Sequence, residues 1–251
     1  MPINETHPVM ITPKENYKIW RYMDIPSFLS LLTDESLVFT SASLMEDKFE
    51  GTFPKPTEQE FNFQLKELNV IGTPQERKFS DIIYSLKHSI YLNCWCMART
   101  EMVHMWKIYS KENGIAIETT YNRLKDAIID KEQIFPTEIA YLDYDNQPFD
   151  WEQNTLSLFT IKRLEYKSEQ ELRLILSFPN LEKEKKQSAP DLMALNEFYK
   201  KFPVIKIKVD IVKLIEKVHI SPFAPMWYTE LVKKTLDKFG LGNICVIRSE
   251  L

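Results

Sequence analysis

The sequence predicts an α+β fold: one domain whose mixed, mostly antiparallel sheet, in one piece or split, is flanked by helices. Segments with the two-residue alternation or short apolar runs of strands alternate with segments of helical periodicity. Their spacing is irregular and no repeat is visible, which disfavours the regular βαβ succession of a parallel α/β protein. The chain has only five glycines against fourteen prolines, which argues against a P-loop or a Rossmann dinucleotide loop.

The first half of the chain contains four predicted strands and four predicted helices. Pro26 lies in the first turn of the first helix, where proline is tolerated. Gly72-Thr73-Pro74 divides a helical insertion at about 55–88 into two helices, and Asn113-Gly114 makes the turn before the fourth strand. The strands are predicted at Tyr17–Tyr22, Leu37–Ser41, Ile90–Met97 and Ile115–Thr119, and the helices at Ile25–Leu32, Glu58–Leu68, Glu76–Lys87 and Glu101–Ser110.

The second half continues the mixed pattern and ends on a helix and a strand. Leu181–Pro190 is the most polar stretch, which we interpret as a solvated loop inside a single domain of residues 1–251. Helices are predicted at Asn122–Ile129, Asp150–Leu164 and Pro225–Phe239, and strands at Glu138–Tyr144, Ser168–Leu174, Val204–Asp210, Lys217–Ile220 and Ile244–Arg248.

Composition and charge favour a soluble, cytoplasmic protein without a membrane partner. Hydrophobic residues make up 44%, charged residues 27%, and the net charge of −4 gives no global attraction to nucleic acid. The three cysteines suit a reducing compartment, since they are too few and odd in number for a disulfide framework. The first residues lack the pattern of a signal peptide, and no apolar run approaches the roughly 20 residues that span a bilayer.

The charged segment around Glu171 is the strongest candidate for chemistry. In a strand, Glu169, Glu171 and Arg173 would project from one face, with Lys162 and Arg163 just upstream. Carboxylates in such a place can hold a ribose hydroxyl or stabilise a cationic transition state. The structural alternative is a ladder of ion pairs, Glu171 to Arg173 and Lys162 to Glu169, that joins neighbouring strands.

Further candidates lie on the first two predicted strands and in the loop that follows them. Arg21 could clamp a phosphate while Tyr22 or Trp20 stacks on a flat ring, or the strand could be an aromatic core strand with one exposed arginine. Ser41 ends the second predicted strand, and Ser43 follows it. Asp47 and Glu50 could bind a metal ion, or could accept backbone N–H bonds that hold their own loop.

Aromatic and sulfur-bearing residues occupy the middle of the chain. Trp95 and Trp106, with Tyr109 on the same helix face as Trp106, could form the floor of a base-binding pocket or pack in the core. Cys94 and Cys96 share a strand face but, with His104, do not make a set of four ligands, so we predict no metal.

Several short motifs occur in the order found in a known family. The chain resembles bacterial proteins of the family called domain of unknown function number twenty-nine seventy-one, and the resemblance covers nearly all of the chain. It implies bacterial kinship but names no activity. The segments that carry it are Trp20-Arg21-Tyr22, Phe39–Ser43, Asp47–Gly51, Asn93-Cys94-Trp95, Met105–Tyr109, Gly114–Ile117, Glu169–Arg173 and His219–Trp227.

The order of three of these segments is also similar to that of ADP-ribosyltransferase-like folds. Those enzymes join a basic or aromatic first strand, a serine-bearing second strand and a late E-x-E strand around a split sheet, and they bind NAD without a glycine-rich loop. The resemblance implies that Arg21 holds the pyrophosphate of NAD, that Tyr22 stacks on nicotinamide and that Glu171 stabilises the transition state. The residues expected to act are catalytic Glu171, Glu169 and Arg173, and NAD-binding Arg21, Tyr22, Ser41, Ser43, Glu50, Trp95 and Trp106.

Two other classes of function stay open. One is a non-enzymatic interaction module of a bacterial defence or stress system. The other is a metal-dependent nuclease built on Asp47, Glu50, Glu169 and Glu171 with Lys167, against which the acidic balance counts. For the leading hypothesis we predict that one pocket, with Trp95 or Trp106 as its floor, is lined by Arg21, Asp47, Glu50, Glu169, Glu171 and Arg173.

Overall fold

A large, mostly antiparallel sheet with helices packed on it organises the chain, as predicted for an α+β fold. The structure is a computed structural model that describes residues 2–13, 16–68, 86–110, 112–151, 154–177 and 197–251. No helix among these residues has the length and apolar character needed to cross a membrane.

The strands are mostly short, and the helices lie between them without a regular succession. The strands are β1 (Lys18–Asp24), β2 (Ser36–Ser41), β3 (Ile90–Met97), β4 (Gly114–Thr120), β5 (Ile134–Glu138), β6 (Ala140–Leu142), β7 (Ile161–Arg163), β8 (Glu171–Ser177), β9 (Val204–Lys208), β10 (Lys217–Ile220) and β11 (Cys245–Arg248). The α-helices are α1 (Ile25–Asp34), α2 (Lys55–Glu67), α3 (Val103–Met105), α4 (Tyr121–Ala127), α5 (Ile211–Leu214) and α6 (Trp227–Lys238).

The order of the main sheet is β11-β10-β4-β1-β3-β2-β9, with β8 on β3 and β5 on β8. Its pairs are antiparallel except for β10 with β11, while β6 and β7 form a separate parallel pair. The whole length of β8 pairs with β3, opposite the β3 residues from Ile90 to Cys96. Strands β1 and β2 therefore share the other edge of β3.

The shared edge splits the sheet. Strand β1 meets β3 at Cys96 and Met97, whereas β2 meets it at Tyr91 and Leu92. Between these contacts β1 and β2 diverge. The side chain of Asn93 fills part of the gap by donating a hydrogen bond of 2.9 Å to the carbonyl of Val38. The split is local, because nine of the described strands belong to one hydrogen-bonded sheet; of the two forms that the sequence predicted, the sheet in one piece is the form found.

The two faces of the sheet pack different cores. The larger core contains Ile19, Trp95 and Leu172 together with helices α1, α4 and α6. The opposite face carries two smaller clusters, one around Ile175 and Phe159 and one of aromatic residues around Trp106. Because side chains alternate along a strand, neighbours in sequence contribute to opposite cores.

Local sequence explains how α1 is placed beside the gap. The carboxylate of Asp24 caps the helix by accepting the Ser27 N–H at 2.9 Å, and Pro26 lies in the first turn. The helix ends at Glu35, whose positive φ of 47° reverses the chain into β2. Helix α1 thus connects the two strands that diverge.

Three predicted elements are wrong in type or extent. The helix expected at Asp150–Leu164 is, among the described residues, a 3-10 turn at Thr155–Phe159 followed by β7, because β7 finds a partner in β6 that local propensity does not reveal. The strand expected near Glu138–Tyr144 is two strands, β5 and β6. The helix expected at Glu101–Ser110 is the short α3 and a π-helical turn, Trp106–Ser110.

Two predictions fall on residues that the structure does not describe. The loop at Leu181–Pro190 lies wholly outside the described residues, and so does most of the second helix of the insertion, Glu76–Lys87. The first insertion helix is α2, and residues 86–89 are helical.

Candidate functional site

Several of the predicted site residues lie in two neighbouring places on the sheet. One is a group of buried ion pairs on β8, which we call the charge cluster: Glu50, Lys162, Glu169, Glu171 and Arg173. The other is the cleft at the split of the sheet, between β1, β2 and α1.

Arg173 is the centre of the charge cluster, and its side chain is only 1% exposed. It donates two hydrogen bonds to Glu50, at 2.6 and 3.0 Å, and two to Glu171, at 2.7 and 3.1 Å. A fifth, of 2.8 Å, goes to the carbonyl of Phe159. A guanidinium has five N–H donors, so every one of them is used inside the protein.

Lys162 is the second cation of the cluster and bridges two carboxylates. Its Nζ lies 2.5 Å from Glu169 Oε2 and 3.2 Å from Glu171 Oε2. Glu169 also accepts a 2.9 Å hydrogen bond from the hydroxyl of Tyr109. The ion pairs Lys162–Glu169 and Arg173–Glu171 are those of the structural alternative that the sequence suggested, and Glu50 is an additional member.

The expected strand position of Glu169 is wrong, although the residue does reach the cluster. It ends a 3-10 turn, Leu164–Glu169, and Gln170 with a φ of 44° separates that turn from β8. Alternation along β8 therefore applies to Glu171 and Arg173 only. The 3-10 turn, rather than a strand, brings Glu169 to Lys162.

The two carboxylates on Arg173 have opposite pKa shifts. Burial alone would raise the pKa of Glu171, but the charges of Arg173 and Lys162 outweigh it and hold the pKa at about 2. For Glu50, burial is the larger effect, and its pKa is raised despite Arg173. Of these two carboxylates, Glu171 is the one whose ionised form the cluster stabilises more strongly.

In the loop after β2, Asp47 accepts a backbone N–H as the structural alternative predicted, whereas Glu50 pairs with Arg173 instead. Asp47 accepts the N–H of Phe49 at 3.0 Å and forms an ion pair of 2.9 Å with Arg163, whose guanidinium lies 4.5 Å from the centre of the Phe49 ring. The loop ends at Gly51 with a φ of 64°, where a Cβ would lie 2.5 Å from the ring of Phe159.

The cleft has a volume of about 570 Å³. This is within the range of small-molecule sites, roughly 300–1,000 Å³. Its lining is mixed, with hydroxyl, charged and apolar groups. The residues that line it are Arg21, Tyr22, Met23, Asp24, Pro26, Ser27, Ser30, Leu31, Ser36, Leu37, Val38, Thr40 and Tyr109.

Arg21 gives the cleft a positive charge. Its Nη1 donates to the carbonyl of Cys94 at 3.3 Å, and its guanidinium lies 5.7 Å from the centre of the Trp95 ring. Within the described ranges no carboxylate forms an ion pair with it. Burial lowers its pKa, in the direction expected for a cation without a compensating anion.

Arg21 and Glu171 do not share a face of the sheet, so the single predicted pocket is not found. Trp20 is opposite Cys96, and Cys96 is opposite Glu171, which places these three on one face. Arg21 follows Trp20 and therefore lies on the other face. Of the six residues predicted for the pocket, Glu50, Glu169, Glu171 and Arg173 form the charge cluster, Asp47 pairs separately with Arg163, and Arg21 lies in the cleft.

Tyr22 does not have the free ring that stacking on nicotinamide requires. It is 7% exposed, its ring packs edge-on against Trp106 at 5.0 Å, and its hydroxyl accepts the N–H of Met102 at 2.9 Å. Trp106 is fully buried and donates to Glu101 at 2.9 Å. Tyr22 and Trp106 thus pack in the core, which was the structural alternative for the tryptophan.

The other residues expected to bind NAD also form hydrogen bonds within the protein. Trp95 donates to the side chain of Asn93 at 2.8 Å on the Arg21 side of the sheet. The hydroxyls of Ser41 and Ser43 are 2.8 Å apart, and Ser41 also bonds to the carbonyl of Lys87 at 3.0 Å. These serines stabilise the turn after β2 and do not line the cleft.

Tyr109 joins the cleft to the charge cluster; the sequence named it with Trp106 for the floor of a base-binding pocket but did not predict its bond to Glu169. Its side chain lines the cleft while its hydroxyl donates to Glu169. The only signal in the sequence was its spacing of three residues from Trp106, which indicates a shared helix face. Ser36 was also missed; its hydroxyl is buried without a hydrogen-bond partner in the part of the chain that the structure describes.

The donor set for a metal ion is not assembled in the described residues. No three of their His, Cys, Asp or Glu side chains are placed to hold one. The Sγ of Cys96 lies 3.8 Å from the Sδ of Met102, and burial, with the charge of Glu171 nearby, raises the pKa of the Cys94 thiol. The carboxylates proposed for a nuclease, Asp47, Glu50 and Glu171, face arginines instead.

Comparison with protein-family models, with curated proteins and with solved structures finds no match for this chain. The resemblance of its motifs to the bacterial family and to ADP-ribosyltransferase-like folds is therefore a prediction that rests on the residues themselves.

Proposed function

We propose that the chain binds a nucleotide-type ligand, with NAD the first to test, in the cleft at the split of the sheet. Arg21 carries the proposal, because it is a partly buried cation that lines the cleft without a carboxylate partner among the described residues. A phosphate would supply the missing anion, and the planar guanidinium matches it with two parallel hydrogen bonds.

The enzymatic form of this proposal is an ADP-ribosyltransferase-like reaction on NAD. The bond between ribose and nicotinamide breaks, and its electron pair leaves with nicotinamide. Water or an acceptor nucleophile then adds to the ribose carbon and gives up its proton. An ionised carboxylate beside the cleft would stabilise the positive charge that develops on the ribose. The candidates for this carboxylate are Glu169 and Glu171 of the charge cluster.

A second candidate is a binding module without catalysis. It is favoured by the engagement of Glu171, the carboxylate expected to be catalytic, with both Arg173 and Lys162. A carboxylate neutralised by two cations contributes little negative charge to a ligand in the cleft. In this case the charge cluster stabilises the sheet, and the cleft binds a ligand without catalysing a reaction.

Titration calorimetry and an assay of nicotinamide release test both forms. Wild-type protein should bind NAD and ADP, and Arg21→Gln should weaken both at least tenfold, since it removes the charged partner of the phosphate. Arg99→Gln, on an exposed arginine outside the cleft lining, is the matched control and should bind as wild type does.

The outcomes separate the candidates. Binding with nicotinamide release supports the enzyme, and binding without release supports the module. Wild-type protein that binds neither nucleotide, or Arg21→Gln that binds as tightly as wild type, contradicts the proposed site.

A further inference from the structure

The side chain of Tyr109 is oriented opposite to that of an ordinary surface tyrosine. A partly exposed tyrosine usually buries its ring and turns its hydroxyl to water. Tyr109 is 44% exposed, yet its hydroxyl donates inward to Glu169, whose side chain is only 10% exposed. Tyr109 is one of the residues that line the cleft. With its hydroxyl engaged by Glu169, its ring is the part of the side chain left to contact a ligand.

The backbone that carries Tyr109 is anchored at both ends of its π-helical turn. Trp106 and Ser110 are buried, and the hydroxyl of Ser110 donates to the carbonyl of Trp106 at 2.7 Å. Ser110 also packs closely on Gly114. A Cβ added at Gly114 would lie 1.8 Å from the Cβ of Ser110. A π-turn inserts an extra residue into a helix and is frequent at functional sites.

The hydroxyl end of Tyr109 is fixed as well. Glu169 is held by Lys162 at 2.5 Å, so the acceptor of the Tyr109 hydrogen bond is itself immobilised. Burial, with Glu169 beside it, raises the pKa of Tyr109, which keeps the hydroxyl protonated as a donor. An aromatic ring held at its backbone and at its hydroxyl loses little conformational entropy on contact with a ligand.

We propose that Tyr109 is a ligand-contacting residue of the cleft, whose ring packs against the aromatic base of the nucleotide while its bond to Glu169 holds the ring in place. This inference rests on the proposed function and assigns the base end of the ligand, as Arg21 is assigned its phosphate end.

A comparison of ADP with inorganic pyrophosphate tests the assignment, because only ADP has a base. Tyr109→Leu should weaken ADP binding about threefold to tenfold, the contribution of an aromatic contact, and leave pyrophosphate binding unchanged. Tyr109→Phe keeps the ring and should recover most of the ADP affinity. Arg21→Gln should weaken both ligands.

Tyr17→Phe is the matched control, since Tyr17 is exposed and lies outside the cleft lining. Equal losses for ADP and pyrophosphate in Tyr109→Leu would show a structural role and overturn the inference. Unchanged ADP binding in Tyr109→Leu would overturn it too, while the proposed function stands. Wild-type protein that binds neither ligand overturns the proposed function, and the inference with it.

Discussion

Glu50 accepts two hydrogen bonds from Arg173, at 2.6 and 3.0 Å, although 123 residues separate them along the chain. Both side chains are almost fully buried, at 3% and 1% exposure. The pair ties the loop after β2 to the middle of β8. Burying these two charges is costly, and their mutual contact offsets that cost only while both are present.

Glu50→Gln should therefore destabilise the protein by about 3–5 kcal/mol, because Arg173 would keep its burial and lose a charged partner. Urea unfolding measures the change in the free energy of unfolding. Glu46→Gln, an exposed carboxylate of the same loop, is the control and should stay within about 0.5 kcal/mol of wild type. A Glu50→Gln protein as stable as wild type would mean that this ion pair is dispensable.

Glu171→Gln should separate a structural from a catalytic role for the E-x-E segment. Since Glu171 contacts both Arg173 and Lys162, its loss should lower stability by several kcal/mol, as for a broken buried ion pair. Glu169→Gln should cost less, because its side chain is nearer the surface. Thermal unfolding beside an NAD assay gives the comparison. A stable Glu171→Gln protein that binds NAD but has lost turnover would instead make Glu171 catalytic.

Stability should fall in acid because of Glu171. Its pKa is about 2 in the folded protein, below the 4.5 of an unperturbed glutamate. Between these values the unfolded chain binds more protons, so the free energy of unfolding contributed by Glu171 is present above about pH 4.5 and is lost as the pH falls towards 2. Glu118, held by Lys18, Lys217 and His219, has the same shift and adds to the loss.

Urea unfolding at a series of pH values from 2 to 6 checks this dependence. The slope between pH 2 and 4.5 should be smaller in Glu118→Gln than in wild type, because one of the two lowered carboxyls is gone. Glu50, whose pKa is raised, has the opposite effect: its contribution to the free energy of unfolding falls as the pH rises above 4.5. A slope that is identical in wild type and Glu118→Gln would contradict the role of Glu118.

Ser36→Ala should leave stability unchanged or raise it by up to about 1 kcal/mol. The hydroxyl of Ser36 is buried and has no partner among the described residues, so its removal ends a desolvation cost without breaking a hydrogen bond. Ser89→Ala is a useful contrast, because that buried hydroxyl does donate, to the carbonyl of Leu86 at 3.0 Å. Differential scanning calorimetry should rank Ser36→Ala as the more stable of the two variants.

Gly51→Ala should destabilise the loop between β2 and α2. The positive φ of Gly51 is strained for alanine, and the added Cβ would meet Phe159 at 2.5 Å. A loss of about 1–3 kcal/mol is expected in urea unfolding. Gly240→Ala is the matched control for the backbone strain alone, since Gly240 also has a positive φ but nothing lies within 4 Å of the added Cβ. The difference between the two variants measures the contact with Phe159.

Local sequence pattern alone determined the fold class and much of the strand content. Strands β3 and β10 begin and end at the predicted residues. An apolar run or a strict alternation between turn signals can be recognised from a few consecutive residues. The pairings Lys162–Glu169 and Glu171–Arg173 were also open to prediction, since each joins residues that are close in sequence.

Only the tertiary structure decided which of those residues form a site. Glu50 joins Arg173, and β7 replaces a predicted helix, through contacts between segments far apart in the chain, on which local propensity has no influence. The divergence of β1 and β2 along β3 creates the cleft, and the register of β1, β3 and β8 leaves Arg21 and Glu171 on opposite faces. Residue types and their spacing predicted the charges, but strand pairing determined which charges are neutralised and which, like that of Arg21, are left facing a cleft.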